Sequence, residues 1–213
     1  MPLWLAFVDA IRALLLSLSH VAGGSIGAAI FALSVLVRVV MLPLAVKAAI
    51  KGRESAERLK ALEPELKLLQ ERYAKDPKRM WTESAALRQK HGIEMMPGTA
   101  KLQMLIQAPL GFAVYKVVAE NVTRAGRFLW MADLARPDVL ITGIAASVAS
   151  LAVLLAPTNG GANNKVNAVV MGAITVVIAW RLAAGVGLYW VGSNVVGVVQ
   201  SLIVRRIVNR RSR

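Results

Sequence analysis

The stretch FALSVLVRVVMLPLAVK, residues 31–47, is mostly apolar and has no charged side chain except Arg38 and the lysine that ends it. It belongs to a run of 24 residues, 23–46, in which Arg38 is the only charged side chain. A helix of that length spans a hydrocarbon core of about 30 Å. Arg38 lies nine residues before Lys47, a natural anchor at the interface. It therefore sits roughly 13 Å deep, near the middle of the bilayer, at about 1.5 Å per residue.

A charged side chain at this depth requires polar surroundings, because burying it costs at least about 2.5–3.5 kcal/mol on insertion scales. The acidic residues of the chain lie outside the apolar spans or at their ends. The sequence therefore predicts that Arg38 faces a hydrated cavity that attracts acidic groups from outside the protein. The alternative is a structural arginine whose guanidinium is satisfied by backbone carbonyls of neighbouring helices.

The composition indicates an all-α polytopic membrane protein. Of the 213 residues, 56% are hydrophobic, and the mean hydropathy is +0.55, well above that of an ordinary soluble domain. The chain has no cysteine, which excludes disulfides, thiolate metal sites and a cysteine nucleophile. Its two histidines are too few for a usual zinc site. We expect no metal, no other cofactor and no enzymatic activity.

Apolar runs and their breaks predict five transmembrane helices, an N-terminal interfacial helix and a cytoplasmic helical hairpin, which form a single core over residues 1–213. Asp9 and Arg12 interrupt the first apolar run, which favours an interfacial helix over a signal peptide. The predicted segments are the interfacial helix 2–19, the first span 23–46, the hairpin 47–101, the second span 102–118, the third span 140–156, the fourth span 166–180, the fifth span 185–204 and a basic tail 205–213.

The segment 47–101 is strongly charged, with thirteen basic and eight acidic residues. Its apolar residues recur at the spacings of a coiled-coil seam, at Leu59, Leu62, Leu66, Leu69 and Tyr73. Pro64 is expected to bend the first helix of this segment. Asp76 and Pro77 suit the N-cap and first turn of a second helix, and Gly92 suits its C-terminal end. The pattern predicts an antiparallel hairpin that stands off the membrane.

The distribution of basic residues predicts the topology. With the hairpin in the cytoplasm, five spans place the loop 157–165 and the tail there too, which gives nineteen basic residues on that side and at most five on the other. This asymmetry obeys the positive-inside rule. The N-terminus is then outside and the C-terminus cytoplasmic.

The second and fifth spans carry amides that favour protein or water contact over lipid contact. Gln103 and Gln107 lie one helical turn apart and share a face, and Pro109 follows them. Asn194 and Gln200 add polarity to the fifth span.

Five segments, in order, resemble the YidC/Oxa1/Alb3 family of membrane protein insertases. They are VRVVMLPLAVKAAIKG (37–52), LKALEPELKLLQERYAKDPKRMWTESAALRQKHGI (59–93), QAPLGFAVYKVV (107–118), FLWMADLARPD (128–138) and GVGLYWVGSNVVGVVQSLIVRR (185–206). Each segment alone is a weak signal, but five with the same order and spacing are specific. The chain resembles the short five-span form of the family.

This resemblance implies a hydrophilic groove, open to the cytoplasm and to lipid, that draws in hydrophilic segments of nascent membrane proteins and releases apolar segments into the bilayer. It implies a substrate groove formed by Arg38, Gln103, Gln107, Tyr189, Trp190 and Asn194, although packing roles for the last five are equally compatible with the sequence. The expected location is the bacterial plasma (inner) membrane. The expected partners are nascent membrane proteins and the lipid bilayer, with the ribosome, the Sec translocon and the signal-recognition-particle receptor as further candidates and no DNA.

Three other functional classes fit less well. A small polytopic transporter or channel would suit the kinked helices and mid-membrane polar residues, but the spans show no obvious inverted repeat. A membrane-anchored interaction protein would not need a charge at mid-membrane. An intramembrane hydrolase lacks a cysteine, a membrane histidine and paired carboxylates.

Overall fold

The computed structural model describes residues 2–93, 98–157 and 163–211, and these residues form helices and connecting loops without a β-strand. Eight α-helices cover these ranges: α1 Pro2–Val21, α2 Ile26–Ala61, α3 Glu63–Arg72, α4 Pro77–Lys90, α5 Gly98–Asn121, α6 Val139–Leu155, α7 Asn164–Ala179 and α8 Ala184–Arg211. A short 3₁₀ turn, Val122–Arg124, follows α5. Parts of the hairpin, of the predicted loop 157–165 and of the tail lie outside the described residues.

The predicted polytopic helical fold is confirmed. Four helices within the described ranges, α1, α2, α5 and α8, are long and apolar enough to cross a membrane by length and composition. The helices α6 and α7 correspond to the predicted third and fourth spans and are apolar but shorter, with 17 and 16 residues. At about 1.5 Å per residue they measure roughly 25 Å, less than the average hydrocarbon thickness of about 30 Å.

Two predicted boundaries do not correspond to helix ends. The helix α2 continues for 36 residues, past Lys47 and through Pro43, so the first arm of the hairpin is an extension of the first span. The helix α8 likewise runs past Val204 to Arg211, so the described part of the tail is helical. The reason is that polarity changes at residues 47 and 205 while helix propensity stays high, since Lys, Arg and Ala all favour helix.

The hairpin has the predicted caps. Asp76 accepts a hydrogen bond from the backbone N–H of Arg79 at 3.0 Å and caps α4. Gly92 adopts a φ of 63° just after α4, where the N–H of Ile93 bonds to the carbonyl of Arg88 at 2.9 Å. Pro64 lies in the first turn of α3, which begins after a break in the helix at Leu62.

The predicted leucine seam faces inward over most of its length. Leu62 is buried, and Leu66, Leu69 and Tyr73 are partly buried where α3 packs on α4. Leu59 is exposed instead, so the prediction was wrong at that position. The chain is still in α2 at Leu59, and the break at Leu62 changes the helix direction before the seam continues.

The helix α8 is central to the bundle because it packs most extensively against α6 and α2. Two glycines allow the helices to approach closely. A side chain at Gly192 would clash with Ser34 of α2, and a Cβ at Gly172 of α7 would lie 2.5 Å from Ser150 Oγ of α6. The helix α7 packs on α6, whereas α5 packs on α1 and α2, so α5 and α7 are held by different neighbours.

Candidate functional site

A cavity of about 690 Å³ lies between α2, α5, α7 and α8. Its polar or amphipathic lining residues are Arg38, Gln107, Tyr115, Thr175, Tyr189, Trp190, Ser193 and Asn194. Its apolar lining residues are Val37, Met41, Ala108, Leu110, Gly111, Phe112, Ala149, Met171, Ile174 and Ile178. The cavity is therefore amphipathic, and apolar residues form more of its wall than the predicted hydrated cavity would have.

The structure brings together five of the six predicted groove residues. Arg38, Gln107, Tyr189, Trp190 and Asn194 all line this cavity. Gln103 lies one turn along α5, in a separate recess of about 350 Å³ that it shares with Gln107. Its Nε2 donates to Gln107 Oε1 at 3.3 Å. Gln103 thus contacts a cavity residue without lining the cavity.

Arg38 is partly buried and has no carboxylate within 4.0 Å among the residues that the structure describes. It is on α2 beside Val37 and one turn before Met41, and all three residues line the cavity. An arginine in an apolar environment strongly attracts an anion, because the Coulomb energy increases as the dielectric constant falls. The guanidinium also carries five N–H donors for an acidic group.

Ser193 is a cavity residue that the sequence analysis did not predict. Its side chain is 6% exposed, and its Oγ has no hydrogen-bond partner within the described ranges. An unpaired buried hydroxyl is unfavourable unless water or a ligand bonds to it. Ser193 lies one turn from Tyr189 and Trp190 on α8, so helical periodicity extended from those residues would have found it.

A second cavity, of about 350 Å³, extends from Arg38 toward the ends of α6 and α7 that border the loop 157–165. The two cavities share Arg38 and Asn194, and the second adds the polar residues Asn164, Asn167, Gln200 and Ser201. These amides and hydroxyls form a polar path to Arg38. The sequence analysis noted Gln200 but missed the other three residues, because their convergence depends on how three separate helices pack.

A model of a known protein family matches this chain. The model described as "60Kd inner membrane protein" matches residues 17–211, which is most of the chain.

The chain belongs to the 60Kd inner membrane protein family.

Curated relatives confirm the predicted resemblance. A Fusobacterium nucleatum protein named "Membrane protein insertase YidC" is 28% identical over 186 residues, which cover 86% of this chain and 87% of the relative. The protein of the same name from Clostridium perfringens is 31% identical over 189 residues, covering 82% of this chain and 76% of the relative. The YidC of Helicobacter pylori is 29% identical over 195 residues, but the match covers only 35% of its length.

A solved structure shares the fold. The crystal structure titled "Active YidC insertase crystal structure with the first transmembrane domain resolved" superposes with a TM-score of 0.62 at 21% identity, over 91% of this chain and 45% of the other. This chain thus spans less than half of that protein. Family membership and the long apolar helices together make the chain a multi-pass integral membrane protein.

Proposed function

We propose that this protein is a membrane protein insertase, which admits a hydrophilic segment of a nascent membrane protein to the Arg38 cavity and releases the attached apolar segment into lipid. The names of the relatives support the general function. The observation that carries the mechanism is Arg38, a cation in the cavity with no carboxylate within 4.0 Å in the described part of the chain. Such a cation offers a binding partner to an acidic group that enters the membrane.

The amphipathic lining suits a substrate with two kinds of surface. Arg38, Asn194 and the buried Ser193 offer polar contacts to a hydrophilic segment. Phe112 of α5 and Ile178 of α7 offer apolar contacts in the same cavity. A polar segment held in this cavity crosses a shorter path of low dielectric, which lowers the desolvation cost of its transfer. No covalent bond is made or broken in this process.

The proposed orientation has the hairpin and the C-terminus in the cytoplasm and the N-terminus outside. Nineteen basic residues on the hairpin side against at most five on the other support it. The second cavity, with Asn167 and Gln200, would then open toward the cytoplasm and admit hydrophilic segments from there. The basic hairpin and tail would face anionic lipid headgroups and the ribosome, with the Sec translocon and the signal-recognition-particle receptor as further candidate partners.

The placement of α1 in the outer interface is part of this orientation. Arg12, in the middle of α1, donates to Glu120 at 2.7 Å, and Glu120 is at the outer end of α5. A helix that spanned the membrane beside α5 would bring its middle to the middle of α5. The contact therefore supports an interfacial α1, although its 20 residues and composition would also allow a span.

Reconstituted insertion tests the role of Arg38. Purified protein in vesicles is given two single-span substrates that differ only in an acidic or a neutral N-terminal segment, and insertion is measured by protease protection. A charged hydrogen bond contributes about 1.5–3 kcal/mol, so we expect Arg38→Ala to slow insertion of the acidic substrate by roughly ten- to a hundredfold. Arg38→Lys should retain much of the rate, and the neutral substrate should be affected less.

An equal loss of insertion rate for the acidic and the neutral substrate would contradict an electrostatic role and leave Arg38 a structural residue. Steady ion flux through the vesicles without substrate, and no insertion by the unmodified protein, would contradict the insertase and favour a channel.

A further inference from the structure

Arg12 joins α1 to α5 through a cluster of four charged residues. Its guanidinium bonds to Asp9 on its own helix and donates to Glu120 Oε2 of α5 at 2.7 Å. Lys116 Nζ lies 4.0 Å from the other carboxylate oxygen of Glu120, one turn earlier in α5. Residues 12 and 120 are 108 positions apart in the chain, so this ion pair fixes the position of one helix relative to another.

The two halves of α5 are held very differently. In the outer half, Ala113, Val114 and Val117 are fully buried against the bundle. In the inner half, Met104 is 62% exposed and Leu105 is 72% exposed. All residues of the inner half, from Gly98 to Ala108, are exposed or only partly buried. The direction of the inner half is therefore set mainly by the attachments of the outer half.

This direction affects the width of the Arg38 cavity. Gln107 and Ala108, at the end of the inner half of α5, line this cavity together with Met171, Ile174 and Ile178 of α7. The helix α7 is held by α6, whereas α5 is held mainly by α1 and α2. The inner half of α5 is about 16 Å long at 1.5 Å per residue. A small rotation of α5 about its outer end therefore displaces the Gly98 end most and moves Gln107 and Ala108 of the cavity wall in the same direction.

From these observations we propose that Arg12 and Glu120 are positioning residues, whose ion pair holds α5 at the separation from α7 that keeps the Arg38 cavity open. Both side chains are partly exposed, at 37% and 42%. Exposed ion pairs contribute little to overall stability, so this pair acts on the orientation of α5 rather than on the fold. The relevance of this spacing to insertion rests on the proposed function, but the spacing itself is measurable without any substrate.

Distances between spin labels test the proposal directly, because the chain has no cysteine of its own. One label pair replaces Leu105 of α5 and Val169 of α7, which are both 72% exposed. A reference pair replaces Leu151 of α6 and Val199 of α8, at the most extensive helix interface of the bundle. Both pairs are measured in lipid nanodiscs, in the unmodified background and in each variant.

Glu120→Gln and Arg12→Gln should each shift the Leu105–Val169 distances by several ångströms and broaden their distribution, while the reference distance stays constant. The double variant should shift the distances no further than either single variant, because both changes break the same pair. Lys116→Gln is the matched control, since it removes a charge from the cluster but keeps the bond between helices, and it should leave both distributions unchanged.

An unchanged Leu105–Val169 distribution in Glu120→Gln and Arg12→Gln would overturn the proposal. So would additive shifts in the double variant, or a parallel change in the reference distance, since these indicate separate effects or general loosening of the bundle. If instead the distances shift as expected but the unmodified protein inserts no substrate, the positioning role stands and the proposed function fails.

Discussion

At the scale of the residue, the buried Ser193 and the partly buried Ser150 differ in their hydrogen bonding. Ser193 Oγ in the cavity has no partner within the described ranges, whereas Ser150 Oγ donates to the backbone carbonyl of Ala168 across the α6–α7 interface at 2.9 Å. The first hydroxyl incurs a desolvation cost without a compensating bond, while the second forms a bond between two helices. The cavity therefore contains a hydroxyl that, unlike Ser150, forms no bond between helices within the described ranges.

Alanine substitution at these two serines should affect the stability of the protein differently. We expect Ser193→Ala to leave the free energy of unfolding unchanged or to raise it by up to about 1 kcal/mol, and Ser150→Ala to lower it by about 1 kcal/mol. The measurement is thermal unfolding in detergent with both variants prepared identically. A clear loss of stability in Ser193→Ala would mean that its hydroxyl is already bonded, for example to ordered water.

The sequence predicted those cavity residues whose polar or charged side chains are unusual in an apolar span. Arg38 and Gln107 are conspicuous in apolar spans, and both line the cavity. Thr175 and Ser193 were not predicted, because small hydroxyl residues are common in membrane helices and their position depends on the packing of α7 and α8. The amphipathic character of the cavity was not predicted for the same reason, since its walls come from helices that are distant in sequence and meet only through packing.

At the scale of the element, local chemistry predicted helix ends better than polarity did. As expected, α4 begins directly after Asp76 and ends just before Gly92, because capping depends on a few neighbouring residues. The predicted boundaries at Lys47 and Arg205 rested on a change of polarity instead, and both helices continue through them. The continuity of α2 means that the membrane span and the first arm of the hairpin are one element.

Close contact between α2 and α8 depends on the absence of a side chain at Gly192. An added Cβ would clash with Ser34 Oγ and lie 3.2 Å from the carbonyl of Phe31. We expect Gly192→Ala to lower the free energy of unfolding by about 1–3 kcal/mol through overpacking. Gly143→Ala in α6 is the control, because nothing lies within 4 Å of its added Cβ, and there alanine should be neutral or stabilising by up to about 1 kcal/mol.

Thermal unfolding of the two variants checks this prediction. Adding Ser34→Ala to Gly192→Ala should recover part of the lost stability, since it removes the oxygen that the new Cβ meets. Equal stability of Gly192→Ala and Gly143→Ala would show that α2 and α8 separate easily at this point.

At the scale of the whole molecule, the helices are arranged around a cavity to which the described residues contribute one cation, Arg38. The helices α6 and α8 form the packed centre with α2, and α5 and α7 flank the cavity from positions held by different neighbours. The number and order of the apolar helices followed from the sequence, and Asp9 and Arg12 already favoured an interfacial position for α1. The contact of Arg12 with Glu120 did not follow from the sequence, because no local pattern predicts it.

The central claim is that a hydrophilic segment of a nascent membrane protein enters the Arg38 cavity. Met41 lines the cavity, while its neighbour Val40 is 70% exposed on the outer surface of α2. The chain has no cysteine of its own, so a single cysteine is placed at each of these two positions in turn. Each variant is mixed with ribosome-stalled membrane proteins that carry one cysteine near an acidic N-terminus. We predict a disulfide crosslink from Met41→Cys that is much stronger than that from Val40→Cys and that weakens when Arg38→Ala is added. Equal crosslinking from both positions, or none from Met41→Cys in a folded protein, would contradict the account.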